Sequence, residues 1–196
     1  MEFVHVDAEL IVVNKPGGLL SVPGRGPDKQ DCAIARVQAR YPEALTVHRL
    51  DMATSGLLLV ARGPEQQRLL SAEFRERGVK KRYVAVVTGY LDGEGEVDLP
   101  LMTDWPKRPR QKIDHELGKP SLTRWRVLGH EAAGTRVELE PVTGRTHQLR
   151  MHMLALGHPI VGDALYGPDP GDDQRLLLHA SDLELRGLVL HSEPDF

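Results

Sequence analysis

The chain has a single cysteine, no long apolar run and no excess of positive charge, and each shortage removes a class of explanation. Cys32 cannot close an intramolecular disulfide, nor make up a structural zinc site by itself. It reads most simply as a small buried apolar residue. No stretch comes near the ~20 apolar residues of a membrane span, and residues 1–10 are acidic without the basic and apolar segments of a secretion signal. The expected setting is cytoplasmic, away from any membrane. Lys and Arg number 25 against 28 Asp and Glu, a formal net charge of −3. Indiscriminate polyanion binding, which draws on many phosphate contacts, is therefore not expected.

Glycine and proline are plentiful, at 19 and 14 residues of 196. That is somewhat above the roughly 12% usual for soluble proteins and favours many short strands and turns over a helical bundle. With 40% hydrophobic residues the chain can bury a sizeable core, as one domain or two tightly joined halves. Three helices are predicted. One covers residues 31–40, with Ile34 and Val37 at helical spacing. The clearest covers residues 64–76, with Pro64 in its first turn, Leu70 and Phe74 on one face, and a Glu73–Arg77 pair at i, i+4. The third runs from Thr146, as N-cap, to Gly157, with Leu149, Met153 and Leu156 recurring on one side. Strands are predicted at 9–14, 45–51, 57–60, 82–89, 124–128, 135–140, 174–180 and 182–190. No internal repeat is visible.

One decapeptide concentrates the chemistry. Residues 47–56 read VHRLDMATSG, an Arg, an Asp and a Thr-Ser-Gly turn leading into the apolar run Leu57-Leu58-Leu59-Val60. On a strand Val47, Arg49 and Asp51 share one side, which puts a cation beside the carboxylate of Asp51. Positive charge clusters at Lys80-Lys81-Arg82 and along Lys107-Arg108-Pro109-Arg110-Gln111-Lys112, with Arg145 and Arg150 further on. These runs predict a basic groove on an otherwise acidic body. His147 and His152 stand five residues apart, too far round a helix to share one face, so no metal site is expected.

The decapeptide resembles the signature of the RluA-type pseudouridine synthases, which isomerise chosen uridines in structured RNA. Three more segments resemble the same family in the same order: residues 12–19 (VVNKPGGL), 80–85 (KKRYVA) and 144–152 (GRTHQLRMH). The stretch from Asp104-Trp105-Pro106 to Lys119-Pro120 resembles the branch that acts on large-subunit (23S) rRNA and the tRNA anticodon stem-loop. The resemblance implies an α+β fold, with a mixed, mainly antiparallel central sheet flanked by helices and two halves around an active-site cleft. It begins within about the first ten residues, which implies a single catalytic domain over 1–196 with no N-terminal S4-like RNA-binding domain.

The reaction so implied breaks a glycosidic C–N bond, turns the detached uracil and rejoins it through carbon five. No redox change occurs, so no cofactor is expected. It needs a carboxylate as nucleophile or base, a group for the carbon-five proton and a dry cavity. The resemblance assigns Asp51 the carboxylate, Arg150 the cation that pairs with it, and Tyr83 the ring that stacks on the uracil with its hydroxyl near the base. It gives Arg49 the role of filling the space left by a flipped-out uridine. Thr54, Lys80, Lys81, Lys107, Arg108, Arg110, Lys112, Arg145 and His147 complete the candidate RNA contacts. The expected partner is RNA alone, bound by a monomer with no obligatory protein partner. Two rivals remain at this level. A hydrolase built on Ser55, His48 and an Asp would lack the G-x-S-x-G elbow. A non-catalytic RNA-binding or RNA-folding module would use the same basic surface without changing the uridine.

Overall fold

A computed structural model describes residues 1–168 and 175–196. Gln174, the first residue of one predicted strand, lies outside them. The chain forms two compact units, Met1–Lys81 with His179–Asp195, and Arg82–Leu178 with Phe196.

In the first unit β1 (Glu2–Val6) pairs antiparallel with β2 (Leu10–Lys15), and β2 with β4 (Ser55–Arg62). The short β3 (Ala44–Thr46) also pairs with β4. On the far side of β4 lies β11 (Leu178–Leu185), paired in parallel and followed antiparallel by β12 (Leu188–His191). β4 is buried along nearly its whole length, as a central strand between two neighbours should be. Gly56 is obligatory there. Its φ is +110°, and a Cβ would stand 2.4 Å from the Ala180 carbonyl oxygen of β11.

Helix α1 (Ala33–Gln38) is shorter than predicted and buries Ile34 and Val37, and Cys32 beside it is fully buried. Helix α2 (Pro64–Arg75) starts at Pro64 after Gly63 and lays Leu70 and Phe74 on a core of Leu10, Val12, Leu57, Leu59, Leu183 and Leu185. The predicted Glu73–Arg77 pair does not form. Arg77 turns out of the helix at φ 64°, and Glu73 instead accepts from Arg186 Nε at 2.6 Å. The single strand predicted over 182–190 is two, because Arg186 and Gly187 both take positive φ and reverse the chain between β11 and β12.

The second unit orders its strands β5 (Lys80–Val87), β10 (Gly134–Pro141), β9 (Leu122–Glu131) and β6 (Glu94–Asp98), all antiparallel. The predicted alternation in β10 holds, with Val137 and Leu139 fully buried. A separate hairpin joins β7 (Leu101–Thr103) to β8 (Gln111–Ile113) through a 3-10 turn at Trp105–Lys107. Helix α3 (Gln148–Ala155) begins one residue later than predicted. Thr146 is exposed, and the N-cap position is taken by His147 in a left-handed conformation. Short, mainly antiparallel strands with three α-helices among the described residues make the α+β class expected.

Candidate active site

Asp51 lies on an irregular segment, not on a strand. β3 ends at Thr46 and β4 starts at Ser55, so the face-sharing predicted for Val47, Arg49 and Asp51 does not apply. The segment is held as firmly as a strand by other bonds. The Ser21 hydroxyl accepts from Leu50 N–H at 3.0 Å and donates to the Leu50 carbonyl at 2.8 Å. The Met52 carbonyl accepts from Gly18 N–H at 2.8 Å and from Lys15 Nζ at 3.1 Å. The Asp51 carbonyl accepts from Thr54 N–H at 3.2 Å. Both neighbours of Asp51 are thus tied to the loop that follows β2. Asp51 itself is half-buried, while Arg49 and Met52 are exposed.

Lys15 is the residue that sequence reasoning passed over. Its side chain is fully buried, and Nζ donates to the carbonyls of Pro16 (2.9 Å), Leu19 (2.7 Å) and Met52 (3.1 Å). Burial pushes its pKa down to about 8, against the pull of the Asp51 carboxylate, which favours the charged form. At neutral pH Lys15 is therefore an ammonium behind the Asp51 loop. The sequence signal was a lysine closing an otherwise apolar strand, just before Pro16-Gly17-Gly18.

His48 and Ser55 settle the hydrolase rival against that reading. The His48 ring stacks on Phe74 with centroids 4.4 Å apart, and Nε2 accepts from Leu59 N–H at 2.9 Å. Burial, with Lys81 adding repulsion, pushes its pKa down to about 3, so it is a neutral anchor. Ser55 is buried and bonded to His179 Nδ1 at 2.9 Å.

The second unit places the other candidates. Arg150 lies in the first turns of α3, only 5% exposed, and is gripped bidentately by Asp163: Nε to Oδ2 at 2.7 Å and Nη2 to Oδ1 at 2.6 Å. Asp163 is also buried, and its Oδ1 accepts from Leu165 and Tyr166 N–H at 3.0 and 3.1 Å. That turn lays the Tyr166 ring against Arg150, 5.1 Å from guanidinium carbon to centroid. The Tyr166 hydroxyl meets His147 Nδ1 at 2.7 Å and accepts from Gln111 N–H at 2.7 Å. Asp163 and Tyr166 were not among the predicted residues. An acidic residue after a glycine in a turn looks solvated until the fold buries it.

Two further residues of the 144–152 motif, Gln148 and His152, are buried in internal hydrogen bonds. Gln148 takes Thr143 Oγ1 and Arg145 N–H on its carbonyl and donates to Leu122 O and Thr123 Oγ1. His152, fully buried, bonds Thr123 Oγ1 at 2.8 Å and Leu99 O at 3.1 Å, and burial lowers its pKa. Tyr83 is half-buried on β5 opposite Leu139.

The predicted RNA contacts divide. Arg49, Lys107, Arg108, Arg110 and Arg145 are exposed, and Lys112 is exposed with Asp114 at 2.9 Å. Lys80 is exposed but paired with Glu184 at 3.0 Å. Lys81 is half-buried 5.9 Å from the Phe74 ring centre, and burial lowers its pKa. Thr54 is only 3% exposed, so it serves the turn and not a surface. His147 is half-buried and engaged by Tyr166.

Comparison with known proteins adds a decisive observation. The family model described as RNA pseudouridylate synthase matches residues 9–155, which include Lys15, the Asp51 loop, Tyr83 and Arg150. The chain belongs to the RNA pseudouridylate synthase family. It is 51% identical over 187 residues to the dual-specificity RNA pseudouridine synthase RluA of Yersinia pestis, covering 93% of this chain and 91% of that protein. To the protein of the same name from Escherichia coli strain K12 it is 52% identical over 186 residues, covering 93% and 85%. Among solved structures, human RNA pseudouridylate synthase domain containing 1 superposes with a TM-score of 0.83 at 30% identity, covering 100% of this chain and 84% of that one. Human RNA pseudouridylate synthase domain containing 4 gives 0.78 at 25% identity, covering 98% and 88%. Family membership agrees with the four motifs, and the family's fold with the α+β class.

Proposed function

We propose that this chain isomerises specific uridines to pseudouridine in structured RNA, in 23S rRNA, the tRNA anticodon stem-loop or both, with Asp51 as the catalytic carboxylate. The observation that carries the assignment is the clamp on the Asp51 loop. A carboxylate that attacks at the ribose, or abstracts a proton there, works only if held near its reacting geometry. Here the backbone on both sides of Asp51 is tied to Ser21, Gly18 and a buried ammonium. Arg150, the cation that the family motif assigns to this carboxylate, is pre-set by Asp163. Its planar fork suits such a role better than a lysine. Tyr83 takes the stacking and proton-relay role.

The target base leaves its stack before reaction, which is cheapest in a loop. Arg49, exposed beside Asp51, fills the vacated space, and Arg145, Lys107, Arg108 and Arg110 meet phosphates. The protein acts in the cytoplasm as a monomeric catalytic domain that needs no protein partner. Among the described residues no helix is long and apolar enough to cross a membrane. The test is tritium release from uridine labelled at carbon five, in an anticodon stem-loop and in a large-subunit rRNA fragment. Release identifies the reaction, and the responding RNA identifies the target. Retention of all label with tight binding of both RNAs would instead mark a non-catalytic RNA-binding module.

A further inference from the structure

The chain has two tryptophans, and they are treated oppositely. The Trp125 ring lies against Gly95, with ring atoms 3.1 to 3.2 Å from where a Gly95 Cβ would be. Trp105, at the tip of the β7–β8 hairpin, is 61% exposed. Its ring is not merely stranded there. The Arg108 guanidinium carbon lies 3.7 Å from its centroid, so the ring carries a stacked cation while the residue as a whole stays largely open to solvent.

The tip also gathers three cations close together in sequence. Arg36, Arg62, Arg124, Arg126, Arg136 and Arg186 all sit in ion pairs. Lys107, Arg108 and Arg110 have no carboxylate partner among the described residues. The hairpin tip is nevertheless well ordered by its own backbone. Asp104 N–H donates to Arg110 O, Lys107 N–H to Asp104 O, and Arg110 N–H to Lys107 O, each at 3.0 Å. At its base Gln111 N–H is bonded to the Tyr166 hydroxyl, beneath Arg150. A preformed aromatic face beside unpaired cations, on a rigid support, suits a ligand with a flat π-system and adjoining phosphates.

We propose that the Trp105–Arg108 pair is a nucleobase-stacking site that takes one unpaired base of the bound RNA, distinct from the uridine being isomerised. Lys107 and Arg110 hold the phosphates on either side of that base. The site rests on the RNA-modifying reading above and deepens it, since it makes the hairpin a reader of loop structure as well as a patch of charge. A base slides onto the open indole face and completes a sandwich with Arg108, and base-paired RNA has no base to offer.

The experiment measures Kd by anisotropy for an end-labelled anticodon stem-loop and a blunt RNA duplex of equal length, over a series of KCl concentrations. Trp105→Ala should weaken stem-loop binding about five-fold to a hundred-fold, as loss of one stacked base implies. The salt slope should stay unchanged, because no phosphate contact is lost. Trp105→Phe should restore most of the affinity, and duplex binding should not change. Lys107→Ala should instead lower the salt slope by about one and weaken both RNAs. A Trp125→Phe variant, with Trp105 as sole fluorophore, should be quenched by the stem-loop and not by the duplex. That readout stands even if Trp105→Ala folds poorly. Binding by Trp105→Ala within two-fold of wild type, or absence of stem-loop quenching, would overturn the proposal. Tritium release by the wild type judges the enzymatic reading separately, since stacking can fail with release intact.

Discussion

Replacing Lys15 by methionine tests whether the Asp51 loop is held from behind by a buried charge. The substitution keeps the length of the side chain and removes three donors, those to Pro16 O, Leu19 O and Met52 O. Hydrogen bonds from a charged group contribute about 1.5–3 kcal/mol each, a gross loss of roughly 4–9 kcal/mol. Against this stands the relief of burying an ammonium. Its pKa, pushed from 10.5 down to about 8, corresponds at about 1.36 kcal/mol per unit to roughly 3 kcal/mol. The net destabilisation is about 1–6 kcal/mol, read as a lower urea midpoint at unchanged m-value. The functional loss should be larger than stability alone implies, because Met52 loses one of its two tethers and Asp51 its neighbouring cation. Single-turnover tritium release under conditions where the variant is fully folded should fall at least ten-fold, with Kd for RNA little changed. The wild type carries a matching pH signature. As pH rises through about 8, Lys15 loses its proton and turnover should decline. Stability moves the other way from pH 8 to 10.5, because the unfolded chain binds more protons there. A variant with wild-type turnover and a wild-type urea midpoint would refute this reasoning.

Three more expectations follow from single contacts. His48, with its folded pKa pushed down to about 3, contributes stability that is complete above pH 6.5 and is lost as pH falls towards 3. His152 acts in the same direction, and a His48→Gln variant should show a shallower decline in urea midpoint between pH 6.5 and 4. Asp163→Asn removes the carboxylate that grips the buried Arg150 bidentately and should cost about 3–5 kcal/mol of stability, with turnover falling further than RNA affinity. Gly56→Ala forces a Cβ into the Ala180 carbonyl and onto a disfavoured φ. It should lower stability by more than about 3 kcal/mol in thermal melts or abolish soluble expression.

How far the sequence could be read depended on how local each feature was. Pro64, Leu70 and Phe74 marked α2 because a helix start and an apolar face are set by neighbours a few residues apart. Val137 and Leu139 marked β10 in the same way. Errors arose where a distant partner decided. Residues 45–51 read as a strand, but β3 ends at Thr46, and Ser21, Gly18 and Lys15 take the backbone groups around Asp51 and hold an irregular loop. Glu73 left its helical neighbour for Arg186, more than a hundred positions away. Two adjacent residues with positive φ split a strand that hydropathy ran together.

The site shows the same division. Asp51, Tyr83 and Arg150 were visible because each stands in a family motif. Lys15 stood in a motif too, yet its role depends on complete burial against three carbonyls. Asp163 and Tyr166 become functional candidates only once a turn aims them at Arg150. Counted charge overstated the basic surface. Lys80 is paired with Glu184 and Lys81 is drawn towards the apolar Phe74 ring, whereas Lys107, Arg108 and Arg110 remain exposed.

The most direct test of the central claim is Asp51→Asn, a near-isosteric change that removes the carboxylate charge. Single-turnover tritium release and Kd should be measured on the same RNA, with wild type alongside. The account predicts wild-type folding and RNA affinity with release lost by at least a thousand-fold. Release near the wild-type rate from that variant would contradict it.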